Sequence, residues 1–155
     1  MRSLLPVFIL SLCFIVSGCT PPTSQGLREN PKNSYEFLAE ENYQSVYRKI
    51  LPVARKCYQS GLITAQMVVQ DELYHDIKSG SVSVALHGGL GVSTYLTIDF
   101  LALNDNETKV SVFTALSNWK SAGDAVIEWV EDGSTKCSSQ RNKVKKPDVV
   151  NEHQQ

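Results

Sequence analysis

Ser81-Val82-Ser83-Val84-Ala85-Leu86-His87-Gly88-Gly89-Leu90-Gly91 runs directly into Val92-Ser93-Thr94-Tyr95-Leu96-Thr97-Ile98-Asp99-Phe100. Side chains change face at every residue of a strand, so alternation of apolar and polar groups marks one sheet face for a core and the other for water. In the first half Val82, Val84 and Leu86 share a face opposite Ser81, Ser83 and His87; in the second, Leu96, Ile98 and Phe100 oppose Tyr95, Thr97 and Asp99. Gly88-Gly89-Leu90-Gly91 between them is turn chemistry, so the pair reads as a half-buried antiparallel hairpin.

The same period continues on both sides. Strands are expected over residues 65–75, 81–87, 94–103 and 108–116, separated by Lys78-Ser79-Gly80, the glycine turn and Asn104-Asp105-Asn106. Turns this short allow only antiparallel neighbours. Residues 35–39 alternate weakly and read as a short additional strand. From Glu40 the period lengthens: Val46, Ile50, Val53 and Cys57 fall on one helical stripe, with Tyr43, Tyr47, Ala54 and Tyr58 beside it. Pro52 has no N–H for the Arg48 carbonyl and its ring crowds that turn, so a kink or break is expected there. Gly61 is the expected stop. A second helix begins near Ser121, which has capping-pair spacing to Asp124; Ala122, Val126, Trp129 and Val130 form its stripe and Gly133 ends it.

These elements predict an α+β fold: a two-layer arrangement of a four- to five-stranded antiparallel sheet with two helices on one face, in the order βα-ββββ-α. That order resembles helix-grip and TATA-binding-protein-like folds. It is a likeness of element order, and such frames serve many functions.

The N-terminus carries a different signal. Met1-Arg2-Ser3 is positively charged and residues 4–16 form an apolar run of about thirteen residues, within the range of a signal peptide and short of a membrane span. The run ends in Val16-Ser17-Gly18-Cys19. An apolar residue, two small residues and a Cys resemble the lipobox of bacterial lipoproteins, and the resemblance implies cleavage after Gly18 and acylation of Cys19. An ordinary secretory signal containing an incidental Cys, or an uncleaved anchor, is the other reading of the stretch. Each buried methylene contributes about 0.8 kcal/mol, so two or three acyl chains hold a protein permanently where one is marginal. Thr20 stands where enteric lipoproteins carry a retaining Asp, and that resemblance implies routing to the outer membrane, with the body facing the periplasm.

Residues 1–18 are therefore expected as signal peptide, 19–34 as lipidated Cys and a flexible proline-containing linker, 35–137 as one domain, and 138–155 as a polar, disordered tail. A linker of this length has a reach of roughly 20 Å. Of four cysteines, Cys13 leaves with the signal and Cys19 becomes a thioether, leaving Cys57 and Cys137 to pair in an oxidising compartment. The chain-entropy value for so long a loop is roughly 4–5 kcal/mol, an upper estimate. A redox pair is the alternative, but no C-x-x-C supports it. Tyr43, Tyr47, Cys57, Trp129 and Cys137 together resemble small uncharacterised proteobacterial envelope lipoproteins.

Composition excludes more than it assigns. A net charge of −1 gives no reason to expect nucleic acid. Asp71, Glu72, His75 and Asp76 crowd one strand end, but alternation sends Asp71 and His75 to one face and Glu72 and Asp76 to the other, so no metal is expected. The loop after His87 lacks the Lys-Ser/Thr and following helix of a phosphate site, and no Ser sits in a Gly-x-Ser-x-Gly elbow. No catalytic residue and no cofactor are expected. Tyr43, Tyr47, Tyr58 and Trp119 are interface anchors if exposed, or covers for helix edges if not. The expectation is a non-enzymatic lipoprotein that binds or organises another envelope component, its membrane contact made through acylated Cys19. The alternative is a carrier holding a small apolar ligand between helix and sheet.

Overall fold

The computed structural model describes residues 23–138. Residues 1–22, with Cys19 and the signal stretch, and the tail beyond Ser138 lie outside them.

The elements are α1 (Ser24–Glu29), β1 (Asn33–Ala39), α2 (Tyr43–Tyr58), β2 (Ser60–Leu62), β3 (Ala65–Tyr74), β4 (Ser79–Gly88), β5 (Gly91–Asn104), β6 (Glu107–Thr114), a single 3₁₀ turn (Ser117–Trp119) and α3 (Lys120–Glu131). The fold is α+β. One sheet of six strands, all antiparallel, takes the order β1-β6-β5-β4-β3-β2. Helix α2 carries the chain from one edge strand to the opposite edge. Both α2 and α3 pack on the same sheet face, α2 against β3, β4 and β5, and α3 against β1 and β6.

The central hairpin forms as its alternation requires. Val82, Val84, Leu96, Ile98 and Phe100 are buried beneath the helices together with Val110 and Val112. Val46, Ile50, Val53 and Ala54 from α2, and Ala125, Val126, Trp129 and Val130 from α3, fill the other side of this core. Gly80 is required here: a Cβ on it would stand 2.4 Å from the Phe100 ring, so only a bare backbone lets that ring lie across β4. A bulge between Val84 and Ala85 shifts the β4–β5 register, and Leu86 is only partly buried.

The structure differs from the sequence reading in several places. The sheet has six strands where four or five were expected, because Ser60–Leu62 adds a three-residue strand beside β3. Gly61, the expected helix stop, lies in that strand at φ 135; the helix has already ended at Tyr58, where Gln59 N–H bonds the Arg55 carbonyl at 3.0 Å. Among the described residues there are three helices where two were expected. The third, α1, lies within the stretch read as linker: Thr23 Oγ1 accepts the Gly26 N–H at 3.0 Å, and Leu27 is buried. α1 sits against β5 and β6, and Arg28 reaches Ser81 and Asp99, residues of the face turned away from α2 and α3. Thr97 and Ser83, assigned to water by alternation, are buried because α1 covers that part of the face. The helices are thus not confined to one side.

Pro52 does not break α2 into two helices; the element continues from Tyr43 to Tyr58. Its ring is exposed, so the Arg48 carbonyl it leaves unbonded faces the solvent side. The Ser121 cap is also not used. The 3₁₀ turn feeds straight into α3, whose N-cap is Trp119 without a side-chain bond. By contrast Asn42 caps α2, its Oδ1 accepting the Ser45 N–H at 2.9 Å.

Candidate functional site: the open face of the sheet

Strand pairing aligns side chains into rows across the face turned away from α2 and α3. One row reads Leu38, Lys109, Leu101, Ser79 and Tyr74 from β1 to β3; the next reads Glu36, Ser111, Asp99, Ser81 and Glu72; the third reads Ser34, Phe113, Thr97, Ser83 and Gln70. α1 covers the middle of the third row, where Thr97 and Ser83 are buried, and leaves the first two open. A recess of about 520 Å³ lies there, bounded by Arg28, Glu72, Tyr74, Asp99, Leu101 and Lys109 among others.

Arg28 forms the wall between the covered and open parts. Its Nε donates to Asp99 Oδ2 at 2.6 Å and its Nη2 to Asp99 Oδ1 at 2.8 Å, a two-point fork, with a further 3.3 Å bond from Nη2 to Ser81 Oγ. This planar match is what guanidinium does better than an ammonium. The Asp99 hydrogen bond raises the Arg28 pKa, opposed by burial and reinforced by the Asp99 charge. Across the recess Lys109 holds Glu36 at 2.8 Å, and Ser111 Oγ donates to the same carboxylate at 3.2 Å. The Lys109 bond, then Ser111, lowers the Glu36 pKa below its ordinary value. Tyr74 OH donates to Glu72 Oε2 at 2.7 Å, which raises the phenol pKa.

Arg28 is thus paired with Asp99 and Lys109 with Glu36, while Glu72 accepts the Tyr74 hydroxyl. Large apolar groups stand exposed between them: Leu38, Leu101 and Tyr74 in the first row, and Leu103 two residues along β5. Apolar groups grouped on one concave surface and rimmed by paired polar ones form a contact surface for another molecule.

The aromatic residues singled out from sequence are placed differently. Tyr43 is buried and its OH lies 3.3 Å from His75 Nδ1. Tyr47 OH donates to Asp71 Oδ2 at 2.5 Å, and Arg55 holds the other oxygen at 2.8 Å. That bond, then burial, raises the Tyr47 pKa. Trp119 is stacked on Tyr58 with ring centroids 5.5 Å apart and on Tyr95 at 5.7 Å; Trp129 closes on Tyr58 at 6.2 Å. Tyr43 and Tyr47 therefore seal α2 against β3, while Trp119 belongs to a cluster at the far end of α2. They do not come together as one surface. The signal for the open face was present in the sequence, since Leu38, Leu101 and Leu103 occupy polar-phase positions of their strands.

Cys57 and Cys137 come together, with sulfurs 2.10 Å and Cα atoms 5.3 Å apart. Lys56 Nζ bonds the Thr135 carbonyl at 3.3 Å and Trp129 Nε1 the Lys136 carbonyl at 2.8 Å, so the segment after α3 is laid along both helices. Of the acidic cluster, Asp71 faces α2, Glu72 faces the open recess, and His75 stands in the β3–β4 turn. Among the described residues no three His, Cys, Asp or Glu gather as a metal would require, and no helix is long and apolar enough to cross a membrane. No family model matches the chain, and no curated protein matches its sequence.

Proposed function

We propose that this chain is a lipid-anchored, non-enzymatic binding module of the bacterial envelope, held in the outer membrane by acylated Cys19 and gripping a polypeptide partner on the open face of its sheet. The observation that carries the reading is the pair of rows across that face, in which exposed leucines alternate with ion pairs already satisfied within the domain. A catalytic site needs a nucleophile, a base in reach and groups to stabilise developing charge, and this face instead ties its carboxylates to Arg28, Lys109 and Tyr74. The core that Val46, Ile50, Val53 and Ala54 of α2 form with the buried strand residues supports a surface binder over a carrier of an apolar ligand. The passage of α2 from edge to edge supports reading the architecture as similar to helix-grip domains. A periplasmic setting is supported by the cysteine usage, since Cys57 and Cys137 stand at bonding distance.

The test is photo-crosslinking in the native membrane from Leu101 and, as a reference, from Glu128 on α3. A single adduct from Leu101 that is absent from Glu128 and is lost on L38D/L103D substitution is the expected result. Adducts independent of those substitutions would move the partner off this face.

A further inference from the structure

The two hairpin tips at one end of the sheet carry a feature that the open face does not explain. Leu62 at the end of β2 and Ile63 in the β2–β3 turn are 79% and 99% exposed, and Leu90 in the β4–β5 turn is 103% exposed. The turns are neighbours, because Ala65 pairs with both Leu62 and Gly88. Water-facing aliphatic groups are ordinary one at a time; three on adjacent tips form a patch. The two hairpins themselves carry no fixed charge near these tips: no Asp, Glu, Lys or Arg occurs from Gln59 to Gln70 or from Ser79 to Ile98. His87 and Tyr95 are the titratable side chains in those stretches. The opposite end of the sheet has the contrary composition, with Asp76, Lys78, Asp105 and Glu107 at its turns and Lys78 paired to Asp105 at 2.8 Å.

The position of α1 says what the apolar end meets. The described residues begin at Thr23, four residues beyond Cys19, and four residues span at most about 14 Å. Thr23 borders a recess with Gln70 and Ser83 on β3 and β4. From Gln70 to Ala65 at the tip is five strand residues, about 17 Å. A Cys19 seated in a bilayer therefore holds the domain close enough for the apolar tips to reach the same leaflet.

We propose that Leu62, Ile63 and Leu90 insert into the bilayer interface as a second membrane contact, fixing which end of the sheet faces the lipid. This inference rests on the Cys19 anchor. Insertion of a few aliphatic side chains adds to an acyl anchor through buried apolar area and needs no specific headgroup. The charged end then points away from the membrane, and the open face stands accessible at the side.

The test uses the full acylated chain in vesicles of phosphatidylethanolamine and phosphatidylglycerol carrying brominated acyl chains, with I63W, L90W and, at the charged end, N106W. The native Trp signal is subtracted. Bromine is expected to quench the I63W and L90W indoles at least about twofold more than the N106W indole, as interfacial burial requires. Equal quenching at all three positions in protein that floats with the vesicles overturns the tip insertion and leaves the anchor standing. Protein that neither floats nor carries acyl mass on Cys19 overturns the anchor and the insertion with it. A doubled mass in detergent that returns to monomer in I63D/L90D would show that a second copy covers the tips, and also overturns the proposal.

Discussion

At the residue scale, the tightest constraint is Gly123 on α3, where a Cβ would stand 2.3 Å from the Tyr35 ring. Alanine is ordinarily the better helix former, yet here it has to displace that ring, whose OH donates to the Lys120 carbonyl at 3.2 Å. G123A is expected to lose about 1–3 kcal/mol in urea unfolding, the usual range for overpacking, and the Y35A/G123A pair to lose less than the sum of its parts. Tyr58 gives a prediction in pH. Burial beside Trp119 and Trp129 raises its pKa above the ordinary value of 10.0. A raised folded pKa means that the native state holds the proton more tightly, so this contribution is complete below pH 10 and is lost as pH rises through the folded value. Thermal melts from pH 8 upward should show a steeper alkaline decline in wild type than in Y58F. Gly123 and Tyr58 could be assigned to elements from sequence, but their contacts could not, because the rings that meet them come from segments more than fifty residues away.

At the scale of elements, legibility followed length and period. The strands of the central meander were readable because each repeats the two-residue alternation several times. Two short elements were not. β2 has three residues, all exposed, so no buried phase marks it; α1 has six residues with Leu27 as its one buried side chain, too few to display a helical stripe. The flanking Pro21, Pro22 and Pro31 and their polar neighbours made the region resemble linker. L27A is expected to cost about 2 kcal/mol, the lower end for a buried leucine, in chemical unfolding, and to loosen protease access to residues 23–30; a true linker would show no change. The Cys57–Cys137 pairing was legible by elimination, once Cys13 was read as part of a signal peptide and Cys19 as acylated. Oxidation of this pair is expected, so unreduced denatured protein should resist alkylation at both positions, and C57A/C137A should be less stable by about 2–5 kcal/mol.

For the whole molecule, the candidate site was the least legible part. Tyr43, Tyr47 and Trp119 were candidate anchors if exposed, but they are occupied by His75, Asp71 and Tyr58, partners that only the fold brings near. The open face is assembled from side chains on five strands and one short helix, and no contiguous stretch of sequence contains it. In the proposed account, both the binding face and the apolar tips take their orientation from a membrane reached through Cys19. The most direct measurement is the mass of the N-terminal peptide from protein extracted from bacterial membranes. The expected result is a chain beginning at Cys19 with a diacylglyceryl thioether, and a C19A protein that no longer partitions into detergent. A wild-type peptide with an unmodified Cys19 thiol, or unchanged partitioning of C19A, would contradict the membrane-held account.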